Sequence, residues 1–505
     1  MSEQDIRSHL LNTLLTTPHR DLLSLHQVHN EMIDKDPIFY VHMAAWYADH
    51  GQVRDHKEMF VLMLCLSKFE GHRDAGLALL RQLPPYQLAR VVDFIKGSEL
   101  KRRRLKGPQV RGRKPEYEFY KEKVGLFKNI PRSMRTEIES YLREREADES
   151  LFDRAVMTAR KSIKRLYAGL HIKPSQRVQA ILFEDKPPVG SLSFALKTIA
   201  AAQTPAEQAR AISEYRIPYR IAATVVKEMS PMVVAALIDV MTPQELINTI
   251  ASLKKRGAMD NPEIKDLIDE KLKSAKKDKR VSAYKAKVAA KAAGAEGELA
   301  EALDAVTESQ IKAAGKITRS TALLIDKSGS METAIDVGKQ LGALISTICQ
   351  AELYAYAFDT VAYPVEPAGT ALTDWEKALA GIHAAGGTSC GVAVELMRRK
   401  NKRVEQFVLV TDEEENTAPF FRDAYRAYAD EFKQRPAVII VKIGQACDQL
   451  ERDCASMGIA PHVFEFRGDY YSLPNVIPML SYPSLGEMVM EVLDYPLPKR
   501  KRNQV

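Results

Sequence analysis

The segment TALLIDKSGSM, Thr321 to Met331, sets one acid and two hydroxyls at alternate positions, Asp326, Ser328 and Ser330, directly behind an apolar run. These side chains offer only oxygen, which suits a hard cation. Magnesium takes oxygen ligands in near-octahedral geometry and keeps several waters, so one carboxylate and two hydroxyls supply part of its coordination shell. Two later stretches complete it. GGTSC, Gly386 to Cys390, offers Thr388 behind a glycine pair that allows close backbone approach, and VLVTDEEEN offers Asp412 after the apolar run Phe407 to Val410. Each piece alone also reads as an ordinary strand-to-helix turn, with Ser330 as a helix N-cap. The three in order favour a site for Mg2+ or another divalent cation on Asp326, Ser328, Ser330, Thr388 and Asp412.

Such loops need strands to hold them. Ala322 to Ile325 and Phe407 to Val410 read as buried strands whose carboxyl ends release the ligand loops. Around them strands and helices alternate: helix Glu332 to Cys349, strands AELYAYAF and VAYPVE, helices through Trp375 and Val392 to Lys400, helix Phe421 to Lys433, strand AVIIVKIG, a short helix through Leu450, strand VFEF and a last helix Leu485 to Tyr495. The pattern is a doubly wound open sheet, a fold that binds ligands at the carboxyl ends of its strands. The DxSxS, Thr and Asp pieces resemble, in the family's order, the metal-ion-dependent adhesion site of von Willebrand factor A domains.

Ahead of this part, residues 1 to about 314 read as helix after helix. TPAEQARAISEY, IPYRIAATVVKEM, SPMVVAALIDVM, TPQELINTIASL and NPEIKDLIDEKL follow one another, and four of the five open with Thr, Ser or Asn before a proline. That is an N-cap followed by proline at the first helical position, so these prolines start helices. Thr204 with Glu207 and Thr242 with Glu245 add capping boxes. Short helices joined by tight turns predict stacked helical pairs of the HEAT type, a ring or arc, with an ordinary helical bundle as the alternative. About 300 residues of them favour the array, because single cores stop growing near that size.

At 505 residues and 45% apolar content, the chain holds more than one domain with full cores. The boundaries read as 1–318 helical, 319–495 sheet with cation site, and 496–505 a basic tail. There is no apolar run of membrane-spanning length, and MSEQDIRSHL is too polar for a signal peptide, so a cytoplasmic protein without membrane contact is expected. The five cysteines are scattered without a C-x-x-C pair and read as reduced residues. The net charge of +7 is unevenly spread: residues 1–319 carry +13, residues 320–495 carry −10, and 496–505 carry +4. A large basic surplus in the helical part points to a polyanion such as nucleic acid.

Three basic segments carry that surplus. Lys96 to Lys114 is interrupted by Gly and Pro and reads as a mobile basic loop or arm, with Arg102, Arg103 and Arg104 as phosphate contacts. Arg154 to Arg177 contains no acid; Arg160, Lys161, Lys164 and Arg165 fall at helical spacings and form a cationic stripe, with Tyr167 and His171 nearby for stacking or polar contacts. Like charges at that spacing repel, so a polyanion is expected to offset them. Lys271 to Lys291, rich in Ala, also reads as a solvated helix. His26 and His29 share a helix face, but without further ligands they read as hydrogen-bonded residues. The tail KRKR, Lys499 to Arg502, reads as a solvated end.

The helical array with KRLYAGLHIKP, then RVSAYKAKVA, then IDKSGSM, GGTSC and TDEEENT, together resemble the Ro autoantigen family, whose helical part is the TROVE module. The resemblance spans nearly the whole chain. It implies a bacterial-type, noncatalytic RNA-binding protein of RNA quality control or processing. In that family the helical ring binds small noncoding Y RNAs outside and single-stranded ends of misfolded RNAs in its hole. Arg165, His171 and Lys173 match the stretch R-L-x-x-L-H-x-K-P and inherit an RNA-binding expectation. An exoribonuclease or other protein at the metal site is a further implied partner. The run Glu413 to Glu415 is more acidic than the family pattern. No Ser-His-Asp set or P-loop appears, so an enzyme is not expected. Two other readings remain: a protein-binding scaffold whose A domain grips a partner's carboxylate, and an ATPase-associated A-domain protein. Salt-dependent RNA binding would separate the first reading from both.

Overall fold

The proline-led junctions start helices as their chemistry dictates. In the computed structural model Thr204, Ser230, Thr242 and Asn261 each accept a hydrogen bond from the backbone three residues on, and Thr204 and Thr242 complete reciprocal boxes with Glu207 and Glu245. Pro218 opens only the short helix Tyr219–Val225. There the run Thr224, Val225, Val226 limits χ1 freedom, and Val226 is already extended, so the longer helix expected from IPYRIAATVVKEM is not made.

The structure describes residues 7, 22–51, 53–105, 117–226, 228–278, 280–281, 283–444, 446–466, 473, 476–481 and 485–500. They fall into two compact units, His19–Met229 with Val492–Val505, and Ser230–Glu491 with Met1–Pro18. In the first, helices meet the next but one along the chain: Leu22–Lys35 against Arg54–Leu66, Arg54–Leu66 against Pro85–Lys96, Pro85–Lys96 against Glu149–Leu170, and Glu149–Leu170 against Leu192–Ala201. The second begins in the same way, with Pro231–Val240 against Pro262–Ala275 and Pro243–Lys255 against Ala283–Ala293. This is the stacking of helical pairs expected from the sequence. No helix among the described residues is long and apolar enough to cross a membrane.

The segment expected as a mobile arm holds a ladder. Strands β1, Ser98–Leu105, and β2, Tyr117–Val124, pair antiparallel from Ser98 opposite Val124 to Leu105 opposite Tyr117. Arg102, Arg103 and Arg104 sit on β1 opposite Tyr120, Phe119 and Glu118. Their side chains, and residues 106–114 of the basic segment, lie outside the described residues. Alternating aromatics on β2 explain the pairing, because β-propensity rewards such residues on a pleated surface.

The remaining strands, β3 Thr321–Asp326, β4 Leu353–Phe358, β5 Ala362–Pro364, β6 Gln406–Thr411, β7 Ala437–Ile443 and β8 His462–Phe466, form one sheet in the order β5-β4-β3-β6-β7-β8. Every neighbour is parallel except β4 with β5. β3 and β6 are buried along their whole length, as central strands covered on both faces must be. From β3 the chain crosses first to β4 and later to β6 on the other side. The carboxyl ends of β3 and β6 therefore flank a topological switch point.

Helix Glu332–Ile348 packs through two glycines, Gly338 on the sheet and Gly342 on helix Leu372–Ala378. A Cβ at Gly338 would stand 2.7 Å from Ile325 Cδ1, and one at Gly342 would stand 2.2 Å from the ring of Trp375. Trp375 has little room to retreat, since its Nε1 donates to Ser346 Oγ at 3.0 Å. Gly342→Ala should therefore cost about 1–3 kcal/mol through overpacking. Thermal unfolding checks this; an unchanged midpoint would mean the helix can lift at no cost.

Candidate metal centre

β3 ends in Asp326, and the chain turns at once because Ser328 N–H donates to Asp326 Oδ1 at 2.8 Å. The other oxygen, Oδ2, accepts from Thr411 Oγ1 at 2.7 Å, so the last residue of β6 holds the acid from the neighbouring strand. Asp326 is fully buried, and desolvation, with a smaller contribution from the Asp412 charge, raises its pKa above the usual carboxylate range. Ser330 does not cap the following helix. Met331 occupies the N-cap without a side-chain bond, while Ser330 Oγ donates toward Asp412 Oδ2 at 3.5 Å.

The second loop is tied to the first by its backbone. Ala385 N–H donates to Lys327 O at 2.7 Å and Gly329 N–H to Gly386 O at 3.2 Å. Gly386 has φ +85°, and a Cβ at Gly387 would stand 2.9 Å from Asn416 Oδ1, so this glycine pair is required by a left-handed turn and a close approach. Thr388, almost fully buried, is fixed through its N–H to Asn416 Oδ1 at 2.9 Å, while its carbonyl accepts from Asn416 and Thr417 at 3.0 Å each. Asp412, just past β6, accepts from Glu414 N–H at 3.1 Å. Hydrogen bonds thus bring Asp326, Ser328, Ser330 and Asp412 together, with the Thr388 loop tied to the loop that carries the two serines.

The charges around the loops are arranged to leave these acids without a cation. Lys327 turns away to pair with Asp359, at the end of β4. Among the described residues neither Asp326 nor Asp412 is in a salt bridge. No described group of three or more His, Cys, Asp or Glu side chains could hold a metal, so any ion here would need the hydroxyls. The acidic run after Asp412 turns inward. Glu413, at φ +65° and fully buried, contacts Lys442 Nζ at 2.8 Å; Glu414 is exposed; Glu415 Oε1 accepts from Gly391 and Phe421 N–H at 3.2 and 2.7 Å. Two of the three acids therefore serve the scaffold, anchoring β7 and the starts of two helices.

Burial raises the Glu415 pKa from 4.5 to about 7. The folded state then holds a proton that the unfolded chain has already lost. Stability from this group falls as pH rises from about 4.5 to about 7. Glu415→Gln should flatten that decline, an effect of roughly 1–3 kcal/mol. Melting temperatures of both proteins across that range test it; parallel curves would contradict it.

The basic stripe lies on Glu149–Leu170, whose helical path is broken at Ala159 (φ −138°, ψ 27°). It splits into two rows. Arg160 approaches Asp185 at 3.7 Å and Lys164 lies over the Phe183 ring at 5.0 Å, whereas Arg165 pairs with Asp93 at 2.8 Å. Lys161, Lys164 and Arg165 are exposed, as are His171 and Lys173 beyond the helix end. His171 takes the left-handed conformation that ends the helix, and Arg135 and Arg143 donate to the carbonyls of His171 and Lys173 at 3.5 and 2.7 Å. Tyr167, expected for stacking or polar contacts, is buried and donates to Glu146 Oε1 at 2.7 Å, so its polar contact is internal. Part of the offsetting negative charge is thus internal, from Asp93 and Asp185.

His29 sits in hydrogen bonds, its ring nitrogens 2.7 Å from Tyr40 Oη and 3.0 Å from His56 Nδ1. The tail is not wholly solvated. Arg500 donates to the buried Glu137 at 2.7 Å, and His42 bonds the Tyr495 carbonyl at 2.9 Å, while Lys501 and Arg502 lie outside the described residues. Sequence reasoning missed Thr411, Asn416, Asp359 and Lys327. Only Asp359 carried a signal, as an acid closing the strand beside β3.

No protein-family model and no curated protein matches the chain. Among solved structures, the Ro (RSR) protein of Deinococcus radiodurans is similar over 89% of this chain and 92% of its own, at 16% identity and a TM-score of 0.60. Two structures of proximal thread matrix protein 1 from the mussel byssus, one with a zinc-occupied MIDAS motif, match 34% of this chain and 48% of theirs. Their identities are 15% and 16%, with TM-scores of 0.27 and 0.26. Stacked helical pairs leading into a six-stranded, doubly wound sheet give this chain a Ro-like fold.

Proposed function

We propose that the chain is a noncatalytic RNA-binding protein of the cytoplasm, acting in RNA quality control or processing. In this reading residues 1–318 bind a small noncoding, Y-like RNA and take up single-stranded RNA ends. Residues 319–495 form an A domain carrying a divalent cation, and 496–505 form a basic tail. The observation that carries it is the exposed run Lys161, Lys164, Arg165, His171 and Lys173, in a helical part with a charge of +13. Asp93 answers Arg165, but Lys161 and Lys173 project without a carboxylate among the described residues, which suits a phosphate backbone. Arg160 precedes this run on the same helix, and Arg102, Arg103 and Arg104 of β1 are assigned to RNA contact with it.

The cation site fits its ion by donor chemistry. Asp326 and Asp412 place two acids together with no basic partner among the described residues, and a dication would offset their repulsion. Asp326, Ser328, Ser330, Thr388 and Asp412 would hold it, with magnesium as the ion chosen by an all-oxygen set. Bound there, the ion would supply an open position for a partner's carboxylate, such as an acidic side chain of an exoribonuclease. The protein's own part is to orient the donors through Thr411 and Asn416 and to keep Lys327 away on Asp359. Sequencing the RNA that co-purifies with the full chain tests the reading. A discrete small RNA is expected; the absence of enriched RNA would favour the scaffold reading.

A further inference from the structure

Strands β6 and β7 run parallel as neighbours, so the segments entering them, residues 398–405 and 433–436, meet at the amino-end pole of the sheet. The metal loops leave from the opposite pole. Residues 320–495 carry a net charge of −10, yet at this pole Lys400, Arg403, Arg426, Lys433 and Arg435 are all exposed cations. None of the five is paired with a carboxylate of a described residue. Arg398 and Arg399, from the same stretch, are already answered by Glu395 and Glu431.

Local structure does not account for this charge. The carboxyl end of helix Phe421–Phe432 supplies about half a negative charge, and Asp430 and Glu405 supply one each, against five cations, while Glu431 already answers Arg398. Arg426, Lys433 and Arg435 line a cleft of about 580 Å³ with Asp430, and its lining also includes Tyr425, Met457 and Ile459. Arg403, from the same pole, lies over the Phe432 ring at 4.9 Å. Cations around a part-apolar cleft suit a phosphodiester backbone with a base laid against its apolar lining or on a guanidinium.

We propose that this pole is a second RNA-contacting surface, one that takes single-stranded phosphates. The proposal rests on the RNA-binding reading and adds a site within the A domain itself. The test uses the full chain and a short oligouridine carrying 4-thiouridine, with affinity measured across a salt series and photo-crosslinks mapped. Arg426→Ala, Lys433→Ala and Arg435→Ala together should lower affinity at least about tenfold at low salt and reduce the salt slope by about 2, at about 0.7 per lost contact. The charge-keeping variant R426K/K433R/R435K should stay near wild type. Crosslinks should map to 398–403 and 421–435 and vanish in the alanine variant. Wild-type slope and affinity in that variant, with no crosslinks at the pole, would overturn the proposal. If alanines at Lys161, Lys164 and Arg165 still weakened binding, the RNA reading would survive it. If the wild-type chain bound no oligouridine, both would fall. Loss of polyglutamate binding with RNA binding intact would reassign the pole to an acidic protein.

Discussion

Alanine at Lys161, Lys164 and Arg165 together is expected to weaken RNA binding by roughly one to two orders of magnitude at low salt, because on the proposed reading each would remove a phosphate contact and its released counterion. The salt slope should flatten by about 0.7 per lost contact on single strands. All three side chains are exposed, so helicity should persist; Asp93 gives up its ion pair with Arg165. His171→Ala should cost affinity with little change of slope, since a stacking or hydrogen-bonding residue releases few counterions. Kd across a salt series, with circular dichroism alongside, reads both. A triple variant with the wild-type slope would place the RNA elsewhere.

Asp326→Ala should abolish magnesium binding measured by calorimetry. Asp326 is the donor that the neighbouring strand holds in place, through Thr411 Oγ1 at 2.7 Å. Without it, Ser330 and Asp412 lose the acid that would share the ion's charge. In the wild type, magnesium at about 100 times its Kd should stabilise the fold by about 2.7 kcal/mol, and the variant should show no such increment. The variant leaves Thr411 Oγ1 and Ser328 N–H without their acceptor, a cost of about 1–3 kcal/mol. Loss of structure is therefore separated from loss of ligand by melting both proteins without metal. Undiminished magnesium heat in the variant would refute the ligand assignment.

Local chemistry was legible in the sequence where cause and effect lie within a few residues. Thr204, Ser230, Thr242 and Asn261 cap helices with bonds reaching three residues, so residue type and spacing sufficed. The strands β3 and β6 announced themselves as apolar runs ending in acids, and their loops carried the donors. What stayed hidden depends on partners far along the chain. Nothing near Glu413 and Glu415 says that one meets Lys442 and the other caps Phe421. The basic helix was readable as charge, but its division into rows facing Asp185 and Asp93 needs the fold. The β1–β2 ladder was obscured by the density of Lys and Arg, although Tyr117 and Phe119 alternate as a strand requires.

The salt dependence of RNA affinity for the intact wild-type chain tests the central claim most directly. Charge on the helical part predicts binding that is tight at low salt and falls linearly in log Kd against log salt, with a slope of magnitude about 2 or more. RNA binding that is absent at low salt, or indifferent to salt, would contradict it.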